Sequence, residues 1–315
     1  MGKVVVALGG NALQIGNSVS ATDQLKACRH TAASIVELVK QGHNIAVVHG
    51  NGPQVGEIVA DIELANKVDS KHPVFPFDVC GAFTQGYIGY HLQNAIGAEL
   101  QRASIDRKVL SIVTQVEVDG NDPAFVNPTK PIGSFYSAEE AKKLMENSIG
   151  YTMKEDAGRG WRRVVASPKP LDIVEKEIIS KLYHDGNIVI CCGGGGIPIR
   201  KVGGELCGVE AVIDKDFAAA KLAEIIGADM LIILTAVERV AINFNKPNQQ
   251  NLAEMNISEA EKYIADNQFA PGSMLPKILA AVSFLCSNSQ GKVLITSLER
   301  AAAGLKGETG TIIKK

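Results

Sequence analysis

Lysines and aspartates placed beside predicted helix starts are the residues of this chain best suited to chemistry. Asp214-Lys215-Asp216 follows the segment Val209–Ile213 and precedes a predicted helix. A carboxylate is a common cap at a helix N-terminus, so capping alone can explain Asp214 or Asp216. A lysine at this position opposes the helix dipole, and its presence is better explained if a phosphate group binds beside it.

Two more lysines lie near turns or helix starts. Lys277 follows Pro276 in the first turn of a predicted helix, although a surface lysine is an equally simple interpretation. Lys130 lies between Pro128 and Pro131, in a segment that can close over a site. Phosphoryl transfer requires mainly alignment and charge neutralisation, which backbone amides, lysines and a divalent ion provide. These lysines and acids therefore favour phosphoryl transfer.

Glycine-rich segments follow three predicted strands. They are Gly9-Gly10-Asn11 after Val4–Leu8, Gly50-Asn51-Gly52 after Ile45–His49, and Gly193–Gly196 after Ile188–Cys192. The carboxyl ends of strands border the ligand crevice in an open α/β sheet. Glycine allows backbone N–H groups to surround an anion there, although a single glycine-rich segment is often only a turn. Three of them together predict a site for phosphate or carboxylate groups.

Short strands alternate with helices along most of the chain. Strands are predicted over Val4–Leu8, Ile45–His49, Lys108–Val118, Ile188–Cys192, Met230–Thr235, Lys292–Thr296 and Thr311–Ile313, with a hairpin over Ile197–Leu206. Helices are predicted over Thr22–Lys40, Gln54–Lys67, Asp78–Gln101, Ser137–Asn147, Asp172–His184, Asp216–Ile226, Ser258–Asp266, Met274–Ser289 and Ser297–Leu305. This alternation predicts an α/β fold with a largely parallel sheet covered on both faces.

The alternation is interrupted over residues 119–166, which we call the insertion. Proline, glycine and charged residues are dense here, and Trp161 lies within it. A long irregular segment in a compact domain is usually functional or forms a small subdomain. We expect the insertion to be a protruding, lid-like subdomain. It belongs to a first lobe, residues 1–184, and residues 185–315 are expected to form a second lobe.

Composition excludes several classes of protein. The 315 residues carry 32 Lys+Arg against 34 Asp+Glu, a net charge of −2 that argues against nucleic-acid binding. No apolar stretch reaches the roughly 18 residues of a membrane helix, and a strand is predicted from the N-terminus, where a signal peptide would otherwise stand. The six cysteines form no CxxC pair, which is typical of reduced thiols in a cytoplasmic protein.

Common catalytic motifs are absent from the sequence. There is no GxxxxGK[ST] phosphate loop, no GxSxG nucleophile and no HExxH metal motif. Gly193–Gly196 is not followed by a helix, which argues against a dinucleotide fingerprint. His49 can either contact a ligand or serve a structural role.

The motifs, taken in order, resemble those of carbamate kinases, a branch of the amino acid kinase family. The resemblance runs essentially from end to end. It rests on Ala7–Ala12, His49–Gly56, Glu155–Arg162, Val165–Pro170, Gly193–Pro198, Val209–Asp216 and Gly272–Lys277. Any one of these segments is a weak signal, but their number and order are highly specific.

The resemblance implies a three-layer α/β/α sandwich with an eight-stranded, mainly parallel central sheet, assembled as a homodimer. It implies reversible phosphoryl transfer between ATP and carbamate, giving ADP and carbamoyl phosphate, with Mg²⁺ carried by the nucleotide phosphates and no protein metal ligand assigned. In fermenting organisms the family usually works toward ATP, at the end of arginine breakdown.

The resemblance also implies roles for individual residues. Carbamoyl phosphate would be surrounded by Gly9, Gly10, Asn11, Gly50, Asn51 and Gly52. The catalytic residues would be Lys130, Lys215, Asp216 and Lys277. The nucleotide would be bordered by Gly194, Asp214, Lys215, Thr235, Ala236, Val237, Met274 and Lys277.

Ala7 departs from the wider amino acid kinase pattern. Many members carry a lysine two residues before the first glycine pair, so here the missing charge is expected from Lys130 or Lys277. Two alternatives stay open: a kinase for another small carboxylate, against which Ala7 weighs, and a sensor that binds an anion or nucleotide without turnover. The retained lysines disfavour a sensor, which has no transition state to neutralise.

Overall fold

An eight-stranded sheet is the centre of the computed structural model, which describes residues 2–13, 20–147, 151–156 and 158–315, with the backbone alone at Asn11 and Asn147. The strands are β1 (Lys3–Leu8), β2 (Asn44–His49), β3 (Val109–Ser111), β4 (Gln115–Val118), β5 (Lys130–Tyr136), β6 (Thr152–Glu155), β7 (Trp161–Val165), β8 (Pro170–Ile173), β9 (Ile188–Ile190), β10 (Ile197–Val202), β11 (Glu205–Gly208), β12 (Met230–Thr235), β13 (Ala241–Ile242), β14 (Gln250–Asn251), β15 (Glu254–Asn256), β16 (Lys292–Ser297) and β17 (Thr311–Lys314). The helices are α1 (Ala21–Lys40), α2 (Gly52–Val68), α3 (Phe77–Arg102), α4 (Ala138–Asn147), α5 (Lys176–His184), α6 (Lys215–Ile225), α7 (Ile257–Ala265), α8 (Met274–Ser287) and α9 (Ala301–Leu305).

The central sheet has the strand order β15-β17-β16-β12-β1-β2-β9-β3. Every neighbouring pair is parallel except β16 and β17. β1 therefore has β12 on one side and β2 on the other, an arrangement that opens a crevice at the carboxyl ends of the strands. The prediction of an eight-stranded, mainly parallel α/β sheet is confirmed.

Alternating side chains divide the core into two layers, one on each face of the sheet. In β1, Val5 and Ala7 pack on the face covered by α5, α6 and α8. Val4, Val6 and Leu8 pack on the opposite face, against α1, α3 and α9. Both sides of these strands are buried, which explains why they are continuously apolar in sequence.

Two sequence predictions merged elements that the structure separates. The predicted strand Lys108–Val118 is two strands in different sheets, and the side chain of Gln85 binds the backbone of Thr114 between them. The Gln85 Oε1 accepts from the Thr114 backbone N–H at 2.8 Å, and its Nε2 donates to the Thr114 carbonyl at 3.0 Å. The predicted helix Asp172–His184 begins only at Lys176, because residues up to Ile173 pair with β4.

The insertion has more regular structure than its sequence predicts. β5, β7 and β6 form an antiparallel sheet, and α4 confirms the helix predicted near Ser137–Asn147. The sheet meets α2 where Gly56 and Gly133 touch through their backbones. A Cβ on Gly56 would lie 2.1 Å from the Gly133 backbone. A larger residue at position 56 would therefore force α2 and β5 apart.

The division into two lobes stays a prediction. β9, which follows the expected boundary at residue 184, lies in the sheet between β2 and β3. Among the helices described here, none is both long and apolar enough to cross a bilayer.

Tyr183 of α5 provides a test of how the sheet is held. Its hydroxyl accepts a hydrogen bond from the Val4 N–H at 2.9 Å and donates to the Asn44 carbonyl at 3.0 Å. Because the side chain is fully buried, Tyr183→Phe leaves two backbone groups without a partner, which costs about 1–3 kcal/mol in the free energy of unfolding. Urea denaturation measures this loss. Tyr90→Phe, at an exposed position on α3, is the control and is expected to change stability little.

Candidate active site

Three lysines and two aspartates form a buried cluster where β1 and β12 end and α6 and α8 begin. Asp214 caps α6: its Oδ1 accepts from the Asp216 N–H at 2.9 Å, and its Oδ2 accepts from Lys130 Nζ. Lys277 Nζ donates to Asp216 Oδ2 at 2.8 Å. Lys215 Nζ lies 3.2 Å from Asp216 Oδ1, as an ion pair. The structure therefore brings all five side chains together.

The cluster carries an excess of positive charge. The side chains of Lys215 and Lys277 are 13% and 11% exposed, and that of Asp216 is 2% exposed. Three ammonium groups thus face two carboxylates in a largely dry environment. Burying an uncompensated charge costs several kcal/mol, so this place strongly favours an added anion.

Both carboxylates of the cluster are ionised at neutral pH. Burial raises the pKa of the Asp214 carboxyl group, but the ammonium groups of Lys130 and Lys215 outweigh it and hold the pKa well below its usual range. Burial likewise opposes ionisation of Asp216, and Lys215 with Lys277 outweighs it, so its pKa is also lowered.

The two most buried lysines differ in how readily they lose a proton. Burial lowers the pKa of Lys215, but Asp216 and Asp214 outweigh burial and raise it above its ordinary value. The pKa of Lys277 is lowered, because burial and repulsion by Lys215 outweigh the attraction of Asp216. Lys277 is therefore the first of the two to become neutral as the pH rises.

Two adjoining cavities share two lysines of the cluster, Lys130 and Lys215. The first, of about 230 Å³, is lined by Gly9, Gly10, Lys130, Asp214, Lys215, Asp216, Thr235, Ala236 and Lys277, among others. The second, of about 170 Å³, is lined by Gly10, Gly50, Asn51, Gly52, Lys130, Gly194 and Lys215, among others. Because Gly10, Lys130 and Lys215 border both, an anionic ligand can extend across them with its charge at the shared lysines.

Helix N-termini add partial positive charge to the same region. α2 begins at Gly52, α6 at Lys215 and α8 at Met274. The backbone N–H groups of a first helical turn have no partner within the helix, and they favour phosphate or carboxylate groups. These helix starts reinforce the preference set by the lysines.

Gly194 fixes the shape of the second cavity. It has a φ of +68°, a left-handed conformation that favours glycine. A Cβ there would lie 2.2 Å from the Asn51 side-chain amide, so the two residues pack without a gap. The Asn51 Nδ2 donates to the Thr84 hydroxyl at 2.8 Å. The Asn51 side chain thus holds the Gly50–Gly52 loop to α3, and the structure places Gly194 beside this loop.

His49 has a structural position at the end of β2. It is fully buried, and burial lowers its pKa to about 4 although a hydrogen bond with the Gly50 carbonyl opposes this. The ring is neutral at pH 7, and its Nδ1 lies 2.9 Å from that carbonyl, which requires the proton on Nδ1. His49 therefore supports the Gly50–Gly52 loop from behind.

A larger cavity of about 550 Å³ lies on the other side of the first. It is lined by Thr235, Ala236, Val237 and Met274 together with Phe244 and Phe269, among others. The predicted nucleotide-bordering residues of β12, its following loop and α8 are thus brought together. Gly194 lies outside this cavity, whereas Asp214 and Lys277 line the first cavity next to it.

Comparison with known proteins agrees with the fold and the motifs. The sequence model of the amino acid kinase family matches residues 2–297. The chain belongs to this family. A carbamate kinase of Clostridium perfringens (strain 13 / Type A) is 61% identical over 314 residues, covering 99% of this chain and 100% of that protein.

Solved structures of amino acid kinases closely match this one. Carbamate kinase from Giardia lamblia bound to citric acid has a TM-score of 0.93 and 41% identity, covering 100% of this chain and 98% of that one. The same enzyme bound to AMP-PNP has a TM-score of 0.89 and 42% identity, with the same coverage. The sequence-based identification of the family is therefore confirmed.

This amino acid kinase also has site residues to which the sequence assigned no role. Asp156, Arg159 and Arg162 of the insertion line the second cavity together with Gly50–Gly52. Their segment was among the motifs of the resemblance, but nothing in the sequence shows which of its charged side chains turn inward. Ala7 is fully buried in the core beneath α6 and α8. The predicted role of Asn11 depends on a side chain outside the described residues.

The acids of the site suit a metal ion only in company with a nucleotide. In the described part of the chain, no group of three or more His, Cys, Asp or Glu side chains could hold a metal. Asp216 Oδ1 is buried, and its contact in the described residues is the ion pair with Lys215 at 3.2 Å, without a hydrogen bond. Mg²⁺ is usually held by one or two carboxylates together with substrate phosphates. This single carboxylate oxygen fits such a shared site.

The lowered pKa of Lys277 predicts how anion affinity depends on pH. Its folded-state pKa lies below that of a free lysine, so its charge is lost as the pH rises toward about 10.4, the unperturbed value. We expect the affinity for inorganic phosphate, measured by titration calorimetry, to fall as the pH rises toward that value, before a free lysine would lose its charge. Lys277→Arg keeps the positive charge in this range and is expected to abolish the fall. An unchanged pH profile in this variant would assign the fall to another group.

Proposed function

We propose that this amino acid kinase is a carbamate kinase, which transfers a phosphoryl group reversibly between ATP and carbamate to give ADP and carbamoyl phosphate. The cluster of Lys130, Lys215 and Lys277 with two aspartates carries this proposal, because two of its lysines, Lys130 and Lys215, border both adjoining cavities. Its excess positive charge is suited to a phosphoryl group in transfer. The full-length similarity to carbamate kinases supports the choice of substrate.

In this proposal each reactant occupies one side of the lysine cluster. Carbamoyl phosphate lies in the second cavity, surrounded by Gly9–Asn11 and Gly50–Gly52. The nucleotide base lies in the larger cavity beside Thr235–Val237 and Met274, and its phosphates extend toward Lys215 and Lys277. The AMP-PNP complex of the similar Giardia lamblia enzyme supports a nucleotide on this fold. Gly194, predicted on the nucleotide side, would instead support the carbamoyl side through Asn51.

The transfer itself needs no protein nucleophile. In the direction of ATP synthesis, a terminal phosphate oxygen of ADP attacks the phosphorus of carbamoyl phosphate. The bond from phosphorus to the carbamate oxygen breaks, and its electron pair leaves with carbamate. Lys130, Lys215 and Lys277 neutralise the charge that spreads over the phosphoryl oxygens, and backbone N–H groups of the glycine loops fix their direction. Asp214 and Asp216 hold the three ammonium groups in place.

Mg²⁺ is proposed as the cofactor, bound through the nucleotide phosphates. Asp216 Oδ1 is the protein oxygen that would face it, and the ion would supply further neutralisation of phosphate charge. The aspartate thus has two roles, since its other oxygen holds Lys277.

Further aspects of the function are proposed on the strength of the family resemblance. They are ATP synthesis at the end of arginine breakdown, a cytoplasmic location, and a homodimer. Exposed Phe83 on α3, together with the open edge of the sheet at β3, supports an association of two chains. The insertion is proposed as a lid on the first lobe, because Lys130 connects it to the nucleotide side through Asp214.

The activity is tested with the purified protein. We expect ATP to form from ADP and carbamoyl phosphate in the presence of Mg²⁺, because the site neutralises the transferred phosphoryl group. A coupled luminescence assay measures ATP, with heat-denatured protein as the control. Nucleotide binding by calorimetry without any ATP formed would point to a sensor, and faster turnover of another acyl phosphate would point to a different kinase.

Lys215 is expected to be essential for turnover. Lys215→Ala removes a charge at the border of both cavities, so kcat should fall by about 1,000-fold, as for loss of a transition-state donor. The hydrogen bonds of Lys130 with Asp214 and of Lys277 with Asp216 remain in this variant, so the fold should stay intact. Circular dichroism checks this. Lys221→Ala on the same helix, paired with Glu224, is the matched control. Near-normal activity of Lys215→Ala would exclude Lys215 from the mechanism.

A further inference from the structure

Three charged residues of the insertion line the second cavity but have no role in the proposed transfer step. Asp156 Oδ2 lies 3.3 Å from the NH1 group of Arg162, which donates to it, and Arg162 Nε donates to the Gly133 carbonyl at 3.0 Å. Arg159 NH2 lies 3.0 Å from both oxygens of Asp156. All three residues line this cavity, as does the Gly50–Gly52 loop.

Arg162 and Asp156 are both buried and both retain capacity for hydrogen bonds. Their side chains are 11% and 10% exposed. A guanidinium has five N–H donors, of which Arg162 uses two on other described residues. A carboxylate accepts at about four positions, and three N–H contacts to Asp156 are present. Donors and an acceptor therefore remain, in a place where unused polar groups are costly.

The position of this pair relative to the lysines defines what it can contact. Lys130 and Lys215 lie at the border between the two cavities, where the phosphoryl group is expected. A small substrate whose phosphoryl group lies at that border extends its other end into the second cavity. That end then faces Arg162 and Asp156 on one side and the Gly50–Gly52 loop on the other.

The carbamoyl group has complementary chemistry. Its carbonyl oxygen accepts hydrogen bonds, and its NH₂ group donates them. A guanidinium beside a carboxylate offers the reverse arrangement, a donor next to an acceptor. An acetyl group has the same carbonyl but a methyl group in place of NH₂, so it satisfies only the arginine and leaves the carboxylate without a donor.

We propose that Arg162 and Asp156 form the recognition site for the carbamoyl group, with Arg162 donating to its carbonyl oxygen and Asp156 accepting from its NH₂ group. This rests on the proposed carbamate kinase function. Arg159, whose side chain is 62% exposed, keeps Asp156 ionised and oriented through its contacts with both oxygens. Asp156 is thereby the residue that distinguishes carbamoyl phosphate from acetyl phosphate, and Arg162 serves both.

Arg163, the next residue in β7, offers a matched control. It pairs with Glu63 at 3.2 Å, and its guanidinium lies over the rings of Tyr151 and Phe77. It does not line the cavity. Arg163→Lys therefore tests what a change to this strand does when the proposed recognition pair is untouched.

The experiment compares kcat/KM for carbamoyl phosphate and acetyl phosphate, with ADP saturating, in the full-length enzyme. In Asp156→Asn the arginine donors hold the single remaining oxygen, so the amide NH₂ faces the substrate NH₂, and the preference for carbamoyl phosphate should fall about 10-fold or more, the size of a lost hydrogen bond to a charged group. Arg162→Lys should raise KM for both substrates by about 10- to 100-fold, with the preference nearly unchanged. KM for ADP should stay constant in both variants, and Arg163→Lys should alter neither substrate.

The outcomes separate this inference from the proposed function. A wild-type enzyme that turns over carbamoyl phosphate while Asp156→Asn keeps its full preference would overturn the recognition role alone. So would an equal loss in Arg162→Lys and Arg163→Lys, since it would indicate only a structural effect. A wild-type protein without carbamate kinase activity would overturn both. If Asp156→Asn is not recovered folded, Asp156→Ala, which removes the acceptor altogether, carries the same expectation.

Discussion

The burial of three ammonium groups against two carboxylates is the constraint on which the rest of the structure depends. Lys130 comes from the insertion, Lys215 from the start of α6 and Lys277 from the first turn of α8. Each carboxylate pairs with at least one of them, so all three elements must be in place before the charges are compensated. The excess of one positive charge then makes an anion part of the complete site, which connects the stability of the cluster to its chemistry.

The central sheet makes this arrangement possible. β1 lies between β12 and β2, so the glycine-rich segments after β1 and β2 and the residues after β12 meet at one edge. Continuous apolar strands pack helices on both faces and direct their carboxyl ends toward the same crevice. Neutral His49 and the Asn51 amide then support the Gly50–Gly52 loop from inside the protein.

Local patterns predicted most of the fold, because the apolar periodicity that distinguishes a strand from a helix is a property of consecutive residues. They did not reveal the break at Thr114, since the side chain that binds the backbone there, Gln85, lies on a helix. The same limit applies to the site. Lys215 and Asp216 stand next to each other in sequence, but the contact between Lys130 and Asp214 joins residues 84 positions apart. The inward direction of Arg162 depends on Asp156 and the Gly133 carbonyl, which only the folded insertion brings near.

The backbone contact between Gly56 and Gly133 gives α2 an influence on phosphoryl transfer that its own residues do not suggest. Gly133 is three residues from Lys130 along β5, a distance of roughly 10 Å in a strand. Because no side chain lies between the two backbones, the position of α2 limits how closely β5 can approach it. The position of the Lys130 ammonium group therefore depends on this contact. A methyl group at position 56 would increase the distance between α2 and β5, and the Lys130 ammonium group would be displaced within the site.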